Sequence, residues 1–285
     1  MSSFKKSLQH DLDLIVDYQS SSPMLLPRSQ TDGFIWNIQI SFLFITAVSI
    51  GLFVLLTVSF PEVKKNDNLK ATHRFTNLFV NFFLGIFGFY HFVVSLPSES
   101  TVVDRIQGFA HPPLIYFPIV QIGYNLWSLP FGFLVGEEGS MRIHHISVLI
   151  VASISTFCNS GFRYYGAFFF GIIEISSVPL SLMNYFKDSQ SLIHTYPTAY
   201  LFIRLAFMIS FLTARVIFWT PQMYDVIRCS TLLTSTCQTS ICTITAGSFT
   251  LCAILLTLLQ YLWATKILSG LIRLLSKKST KKKEH

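Results

Sequence analysis

Two adjacent histidines, His144 and His145, open one of the apolar stretches of this chain. A neutral imidazole can take a proton from a nucleophile or can itself attack an acyl group. Neighbouring side chains on a helix diverge by about 100°, so one histidine could act while the other orients it. The alternative is that both are helix-end histidines at the level of the lipid headgroups.

An acidic residue, Glu174, lies in the middle of the next apolar stretch, and Arg215 lies in the middle of a later one. A charge at the centre of a bilayer costs about 2.5–3.5 kcal/mol on insertion scales. Such a group therefore faces the protein interior and is either neutral or paired. The candidate partners of Glu174 are His145, His91 and Arg215, and a purely structural ion pair is the alternative to a functional one.

Ser177 and Ser181 follow Glu174 by one and two helical turns and share its face. They could support the carboxyl group by hydrogen bonds or serve in helix packing. We expect His144, His145, Glu174 and Arg215 to converge on one interior cavity.

The composition indicates the elements that must hold these groups. Of 285 residues, 51% are hydrophobic and 12% are charged, against about 25% charged in a soluble domain. The chain is therefore expected to be an all-α, polytopic transmembrane bundle around a lipid-accessible cavity. The net charge of +7 is concentrated near span ends, which favours membrane topology over nucleic-acid binding.

Seven apolar segments are long enough, or nearly long enough, to cross a bilayer. They cover residues 34–60, 73–96, 112–136, 144–159, 161–186, 200–220 and 243–265. Pro179 is expected to kink the fifth span, and residues 221–241 are expected to form a polar loop. The sequence thus divides into a polar segment (1–33), a first span (34–60), a six-span domain (69–275) and a basic tail (276–285).

The polar segment and the charges fix the expected orientation. Phe4, Leu8, Leu12 and Ile15 recur at helical spacing, which predicts a surface helix, with a frayed tail as the alternative. Basic residues follow the first span more closely than they precede it. By the positive-inside rule the N-terminus is expected in the lumen and the C-terminus in the cytosol.

Cysteines and the tail add two further expectations. Cys229, Cys237 and Cys242 fall at the last non-cytosolic loop, where a disulfide of undetermined connectivity could form, whereas Cys158 and Cys252 are expected to be buried thiols. No metal site is expected. Lys282 and Lys283 resemble the dilysine signal that coat proteins read for retrieval to the endoplasmic reticulum, and a generic positive-inside tail is the alternative.

A histidine pair opening a span, followed by the element Glu174-Ile175-Ser176-Ser177-Val178-Pro179, resembles the TLC domain. That family groups the TRAM translocon proteins, the ceramide synthases and other lipid-handling membrane proteins. Gly123-Tyr124, His73-Arg74 with Asn77, and the segment around Arg215 resemble further parts of its pattern. The resemblance covers about residues 69–275 and implies a helix bundle around a cavity that admits a lipid chain.

One departure from the pattern bears on function. The ceramide synthases have two aspartates after the histidine pair, and the equivalent stretch here has none. The resemblance therefore implies lipid binding, sensing or lipid homeostasis, closer to the members that are not ceramide synthases. The alternative is an acyl-CoA-dependent acyltransferase with His144, His145 and Glu174 as catalytic residues.

The resemblance and the positions of the polar residues also indicate the ligands of the cavity and the residues that line it. No cofactor is expected, and acyl-CoA would be a substrate of the alternative. Membrane lipids are the expected ligands, and homo- and hetero-oligomers both remain open. The residues expected to line the lipid cavity are Tyr124, Asn125, Ser177, Ser181, Arg215 and His91.

Overall fold

A computed structural model describes residues 2–21, 25–95, 101–107, 112–158 and 161–282. Within these ranges the protein is helical and has no β-strand, which confirms the expected all-α polytopic bundle. The side chain of Lys282 and all of Lys283 lie outside the described residues.

The helices follow one another with short connections. Their bounds are α1 (Ser2–Ser21), α2 (Arg28–Ser59), α3 (Lys65–Tyr90), α4 (Val102–Gln107), α5 (Tyr116–Val135), α6 (Gly139–Phe157), α7 (Gly166–Phe169), α8 (Ser177–Asp188), α9 (Gln190–Thr195), α10 (Pro197–Leu212), α11 (Trp219–Thr236) and α12 (Ser240–Lys282). The 3₁₀ turns are Pro112–Ile115, Arg163–Tyr165 and Ile172–Ser176, and the π-helical turns are His91–Ser95 and Thr213–Ile217.

In the described ranges, six helical segments are long and apolar enough to cross a membrane. They are Arg28–Ser59, Lys65–Val94, Gly139–Phe157, Arg163–Asp188, Pro197–Thr236 and Ser240–Ile272. The third predicted span, residues 112–136, contains α5, which is not in this set. Its 20 residues rise about 30 Å, but Gln121 and Asn125 lower its hydropathy. Helix α5 packs against α2, α3 and α6, so these amides face protein.

Successive crossings bring alternate helix ends together. At one end the backbone N–H of Leu26 donates to the carbonyl of Phe157 (3.2 Å), and α1 packs on α4 and α11. We call it the disulfide end, because Cys237 and Cys242 are bonded there (S–S 2.02 Å). The opposite end, where α3 and α6 begin and α8 ends, is called the cavity end.

The predicted amphipathic helix forms at the disulfide end as α1. Ile15 is fully buried, and Asp11 forms an ion pair with Arg228 of α11. The packing of α1 on α4 and α11 supports the helical alternative over the frayed tail.

The region between α10 and α12 differs from the prediction. Residues 221–241 are not a polar loop, because α11 continues to Thr236. Hydroxyl groups within it donate to carbonyls four residues earlier, as Thr231 does to Ile227 and Thr234 to Ser230, so polar side chains are accommodated in the helix. The disulfide settles the open connectivity and leaves Cys229 as a free buried thiol, as are Cys158 and Cys252.

The fifth predicted span is broken upstream of its proline. A Cβ atom on Gly88 would lie 2.4 Å from the Cα of Gly171, so the two backbones are in direct contact. Beyond Gly171 the chain turns through Ile172–Ser176 before α8 begins. The predicted kink at Pro179 is wrong, since Pro179 lies in the first turn of α8, where a proline is tolerated.

Candidate functional site

A cavity of about 670 Å³ lies among α3, α5, α6, α8, α10 and α12 at the cavity end. Its rim carries the charged side chains of Arg74, Glu138, Lys187, Arg204 and Lys266. The predicted residues on its walls are Tyr124, His144, His145, Glu174, Ser177, Ser181 and Arg215. The structure therefore brings the four central ionisable groups to one cavity.

Glu174 and Arg215 form an ion pair inside the bundle, with 3.3 Å between Oε2 and Nη2. Their exposed fractions are 7% and 5%. Oε2 also accepts a hydrogen bond from the hydroxyl of Ser177 (2.6 Å), and Arg215 donates to Ser176 Oγ (2.7 Å) and Ser177 Oγ (2.9 Å). Of the three candidate partners, Arg215 is thus the direct partner of Glu174.

Both members of this pair stand on irregular helix. Glu174 lies in the 3₁₀ turn Ile172–Ser176 and Arg215 in the π-helical turn Thr213–Ile217. Single π-helical turns inside α-helices occur frequently at functional sites. The two turns contact each other, so the departure from α-geometry aims both side chains at the same point.

A line of amides connects Glu174 to His145. Gln121 Nε2 donates to Glu174 Oε1 (3.1 Å). Asn125 Nδ2 donates to Gln121 Oε1 (3.1 Å) and to the backbone carbonyl of Gln121 (2.7 Å). Asn125 Oδ1 lies 2.8 Å from His145 Nδ1. Glu174 and His145 are thus connected indirectly, by hydrogen bonds through two amide side chains of α5.

The direction of these hydrogen bonds assigns the tautomer of His145. Because the amide nitrogen of Asn125 is used toward Gln121, its oxygen faces His145 and accepts. His145 Nδ1 must then carry the proton, and in the neutral ring Nε2 is left with a free lone pair. Since His145 lines the cavity, an unprotonated nitrogen is available to a ligand there.

His144 also lines the cavity, but its ring points toward α12 rather than toward Asn125. Its ring lies 5.5 Å from that of Trp263 on α12, and its Nδ1 has no hydrogen-bond partner in the described part of the chain. His144 also borders a second, apolar cavity of about 30 Å³, lined by residues such as Val151, Phe170 and Leu256. His144 therefore borders both the polar cavity and this apolar pocket.

Two predicted cavity residues are placed elsewhere. Asn125 is completely buried behind the wall and acts through His145. His91 does not line the cavity, because it lies in the π-helical turn at the far end of α3, with its ring 5.8 Å from that of Phe117. The sequence placed His91 within the second span. It did not show at which end of the bundle His91 would lie.

Three contributors were not anticipated as site residues: Gln121, Ser176 and Glu137. Gln121, Asn125 and Ser128 recur at helical spacing on an otherwise apolar helix, so a polar stripe on α5 could have identified Gln121. Ser176 belongs to the element of residues 174–179 that carries the family resemblance, so its place in that element is the signal that could have identified it. Glu137 follows α5 in a short connection and carries no such signal.

A family model of the TLC domain matches residues 70–269 of the chain. This is well over half of the protein, and the chain belongs to the TLC-domain family. Comparisons with curated proteins and with solved structures found no match. Family and apolar helices together define a multi-pass membrane protein with a lipid-related function.

Proposed function

We propose that the protein binds a membrane lipid in the cavity and thereby senses or adjusts membrane lipid composition. The observation that carries the proposal is a cavity of about 670 Å³ with a polar floor, formed within a membrane-embedded bundle. Small-molecule sites are typically cavities of about 300–1,000 Å³ with a few convergent polar groups. The lipid-related character of the family supports the same conclusion.

The distribution of wall residues suggests how a lipid would lie. Apolar side chains of α10 and α12, namely Leu205, Met208, Trp263 and Ile267, form one side. Glu174, Arg215 and His145 form the floor. An acyl chain would contact the apolar side, and the polar part of the lipid would reach the floor.

The type of TLC protein is also part of the proposal. The stretch after the histidine pair has no aspartate before Glu174, and the acid of the site is instead supplied by the Glu-x-Ser element and paired with Arg215. This arrangement favours a member other than a ceramide synthase.

Filling the cavity tests lipid binding. Met208 lines it, whereas the next residue, Ile209, is 61% exposed on the outer surface. Met208→Trp should reduce the lipid that copurifies with the protein roughly tenfold, because overpacking costs about 1–3 kcal/mol and 1.4 kcal/mol corresponds to a factor of ten. Ile209→Trp is the matched control and should retain the lipid.

Lipid extracted from each purified variant is quantified per protein by mass spectrometry. Equal lipid content in Met208→Trp, Ile209→Trp and the unmodified protein would contradict binding inside the cavity.

The orientation of the cavity is a further part of the proposal. The basic residues that follow the first span lie at the cavity end, as do Lys187 and Lys266. By the positive-inside rule this end faces the cytosol. A glycosylation acceptor inserted within residues 97–111 should be modified in microsomes. If the inserted acceptor is not glycosylated, the protein has the reverse orientation.

Acyl transfer is the second candidate function, and the tautomer of His145 is the observation that favours it. With Nδ1 donating to Asn125, Nε2 is available to accept a proton from a hydroxyl or amine bound in the cavity. An acyl-CoA would then be the acyl donor and would enter from the cavity end.

Turnover separates the two candidates. Purified protein is incubated with acyl-CoA and a panel of lysolipids and sphingoid bases, and products are measured by mass spectrometry. An acyltransferase should lose turnover in His145→Ala while it retains bound lipid. Lipid binding without turnover in the unmodified protein would support the sensor and exclude transfer to these acceptors.

A further inference from the structure

Glu137 reaches back into the cavity from the turn between α5 and α6. Gly136 ends α5 in the left-handed conformation (φ 75°), and the N–H of Glu137 donates to the carbonyl of Gly132 (2.8 Å). The carboxyl group then lies with Oε2 3.8 Å from His145 Nε2, and both side chains are only 8% exposed. The turn thus places an acid beside the free nitrogen of His145.

The sequence of α5 provides the space for this carboxyl group. A Cβ atom on Gly132 would lie 2.7 Å from Glu137 Oε2. In the described part of the chain Oε2 has no hydrogen-bond partner. A buried polar atom without a partner is costly and calls for an explanation.

The electrostatics of His145 supply that explanation. Its Nδ1 faces the neutral amide of Asn125, which cannot offset a charge on the ring. A proton taken up by Nε2 would create a buried cation, and burying an unpaired charge is strongly unfavourable. A carboxylate 3.8 Å from Nε2 reduces this cost by Coulombic attraction.

We propose that Glu137 and His145 form a proton-sharing pair in which Glu137 is the positioning residue that stabilises protonated His145. The inference deepens the acyl-transfer candidate and rests on it for its catalytic meaning. In that reaction a ligand O–H or N–H bond breaks and an N–H bond forms on Nε2, while the electron pair stays on the ligand and attacks the thioester carbonyl. The proton then passes to the leaving thiolate.

The burial of Glu137 supports its role in the pair. Glu137 lies outside the membrane-spanning segments, and its burial raises the pKa of the carboxyl group above its ordinary value. A raised carboxyl pKa lies closer to the ordinary pKa of an imidazole. The two groups can therefore share one proton.

Other charged and titratable groups act on the pair from the surrounding elements. They are His73 and Arg74 on α3, Tyr124 on α5, Arg142 and His144 on α6, Glu138 in the same turn, and Arg215 on the π-helical turn. All of them except Glu138 stay unchanged in the variants below, so a difference between variants reports on the pair itself.

Chemical labelling tests the pair without any need for turnover or bound lipid. Diethyl pyrocarbonate reacts with unprotonated imidazole, and fragment-ion mass spectrometry separates His145 from His144. The extent of His145 labelling is measured against pH in the full-length purified protein. In Glu137→Gln the midpoint of this curve should move to lower pH by about one unit or more, as expected when an opposite charge within about 4–6 Å is removed.

Glu138→Gln is the matched control, because Glu138 is the exposed neighbour of Glu137. It should move the midpoint much less than Glu137→Gln does, because solvent and salt screen an exposed charge. Gly132→Ala keeps both ionisable groups and displaces the carboxyl group, so it should shift the midpoint in the same direction and by less.

Coincident curves in the unmodified protein, Glu137→Gln and Gly132→Ala would overturn the pair. If Glu137→Gln fails to fold, as judged by thermal unfolding, Gly132→Ala alone decides by the same criterion. Absence of acyl transfer in a protein that shows the shift would instead reject the catalytic reaction and leave the pair intact.

Discussion

The two ends of the bundle each contain a cluster of buried or half-buried charges, and the cavities that border the two clusters differ greatly in size. At the disulfide end Asp225 accepts hydrogen bonds from Arg105 (2.7 Å) and Tyr165 (2.6 Å). Tyr165 borders an apolar cavity of only about 30 Å³. At the cavity end Glu174 and Arg215 border about 670 Å³.

This difference in cavity size distinguishes charges that only hold helices together from charges that a ligand could contact. Asp225 joins α4 and the turn before α7 to α11, so its contacts connect elements that would otherwise separate. The contacts of Glu174 also connect elements, but they leave the carboxylate, the guanidinium and His145 on the wall of an open space. Burial and pairing alone would not have distinguished the two clusters.

The largest expected effect comes from removing one member of the cavity pair. Glu174→Ala should lower the free energy of unfolding by about 3–5 kcal/mol, because Arg215 is left as an uncompensated buried charge. Thermal unfolding in detergent measures the change, and Glu62→Ala, at an exposed position, is the control. A loss of less than about 1 kcal/mol would mean that the pair is solvated.

A double substitution sharpens this result. Glu174→Leu with Arg215→Met removes both charges, and apolar replacements of a buried pair are often neutral or stabilising. We expect most of the lost stability to return while lipid binding stays low. If lipid binding and stability both return in the double variant, the two charges act only in folding.

An intermediate effect is expected at the disulfide end. Asp225→Ala should cost about 1–3 kcal/mol, because Arg105 and Tyr165 lose a shared acceptor. The lipid content of the purified protein should not change. A loss of lipid as large as that in Met208→Trp would break the distinction between the two clusters.

The smallest effect is expected at the rim of the cavity. Arg74 and Asp188 form an ion pair at 3.0 Å, with side chains 15% and 26% exposed. Asp188→Asn should change the free energy of unfolding by about 0–1 kcal/mol, because among the described residues Asp188 accepts a hydrogen bond only from Arg74 and the pair lies at the rim, where solvent screens it. A larger cost would place this pair in the same structural class as Glu174 and Arg215.

Helix type and the inward direction of Glu174 and Arg215 could be predicted because apolar length and the cost of intramembrane charge act locally. The choice of Arg215 over His91 as partner could not, since it depends on which end of the bundle each helix presents. The backbone contact of Gly88 with Gly171 is likewise a property of two distant segments. Pro179 marked a kink in the sequence, yet the close approach of the glycines moved the break upstream.

Glu137 shows a second limit. Its residue type and its place in a short polar connection indicate an exposed acid. Its burial depends on the left-handed Gly136 and on the space left by Gly132, which are visible only when the turn is built. In contrast, the divergence of His144 and His145 followed directly from helix geometry.

The most direct test of the cavity as the lipid site is to map where a bound lipid lies. Membranes containing a lipid with a photoactivatable diazirine on its acyl chain are irradiated, and the labelled residues are identified by mass spectrometry. If a lipid occupies the cavity, the inward residues Met208 and Trp263 should be labelled in addition to outward residues such as Ile209. The inward labelling should be lost in a Leu205→Trp variant that fills the cavity. Labelling confined to the outward residues would contradict lipid binding in the cavity.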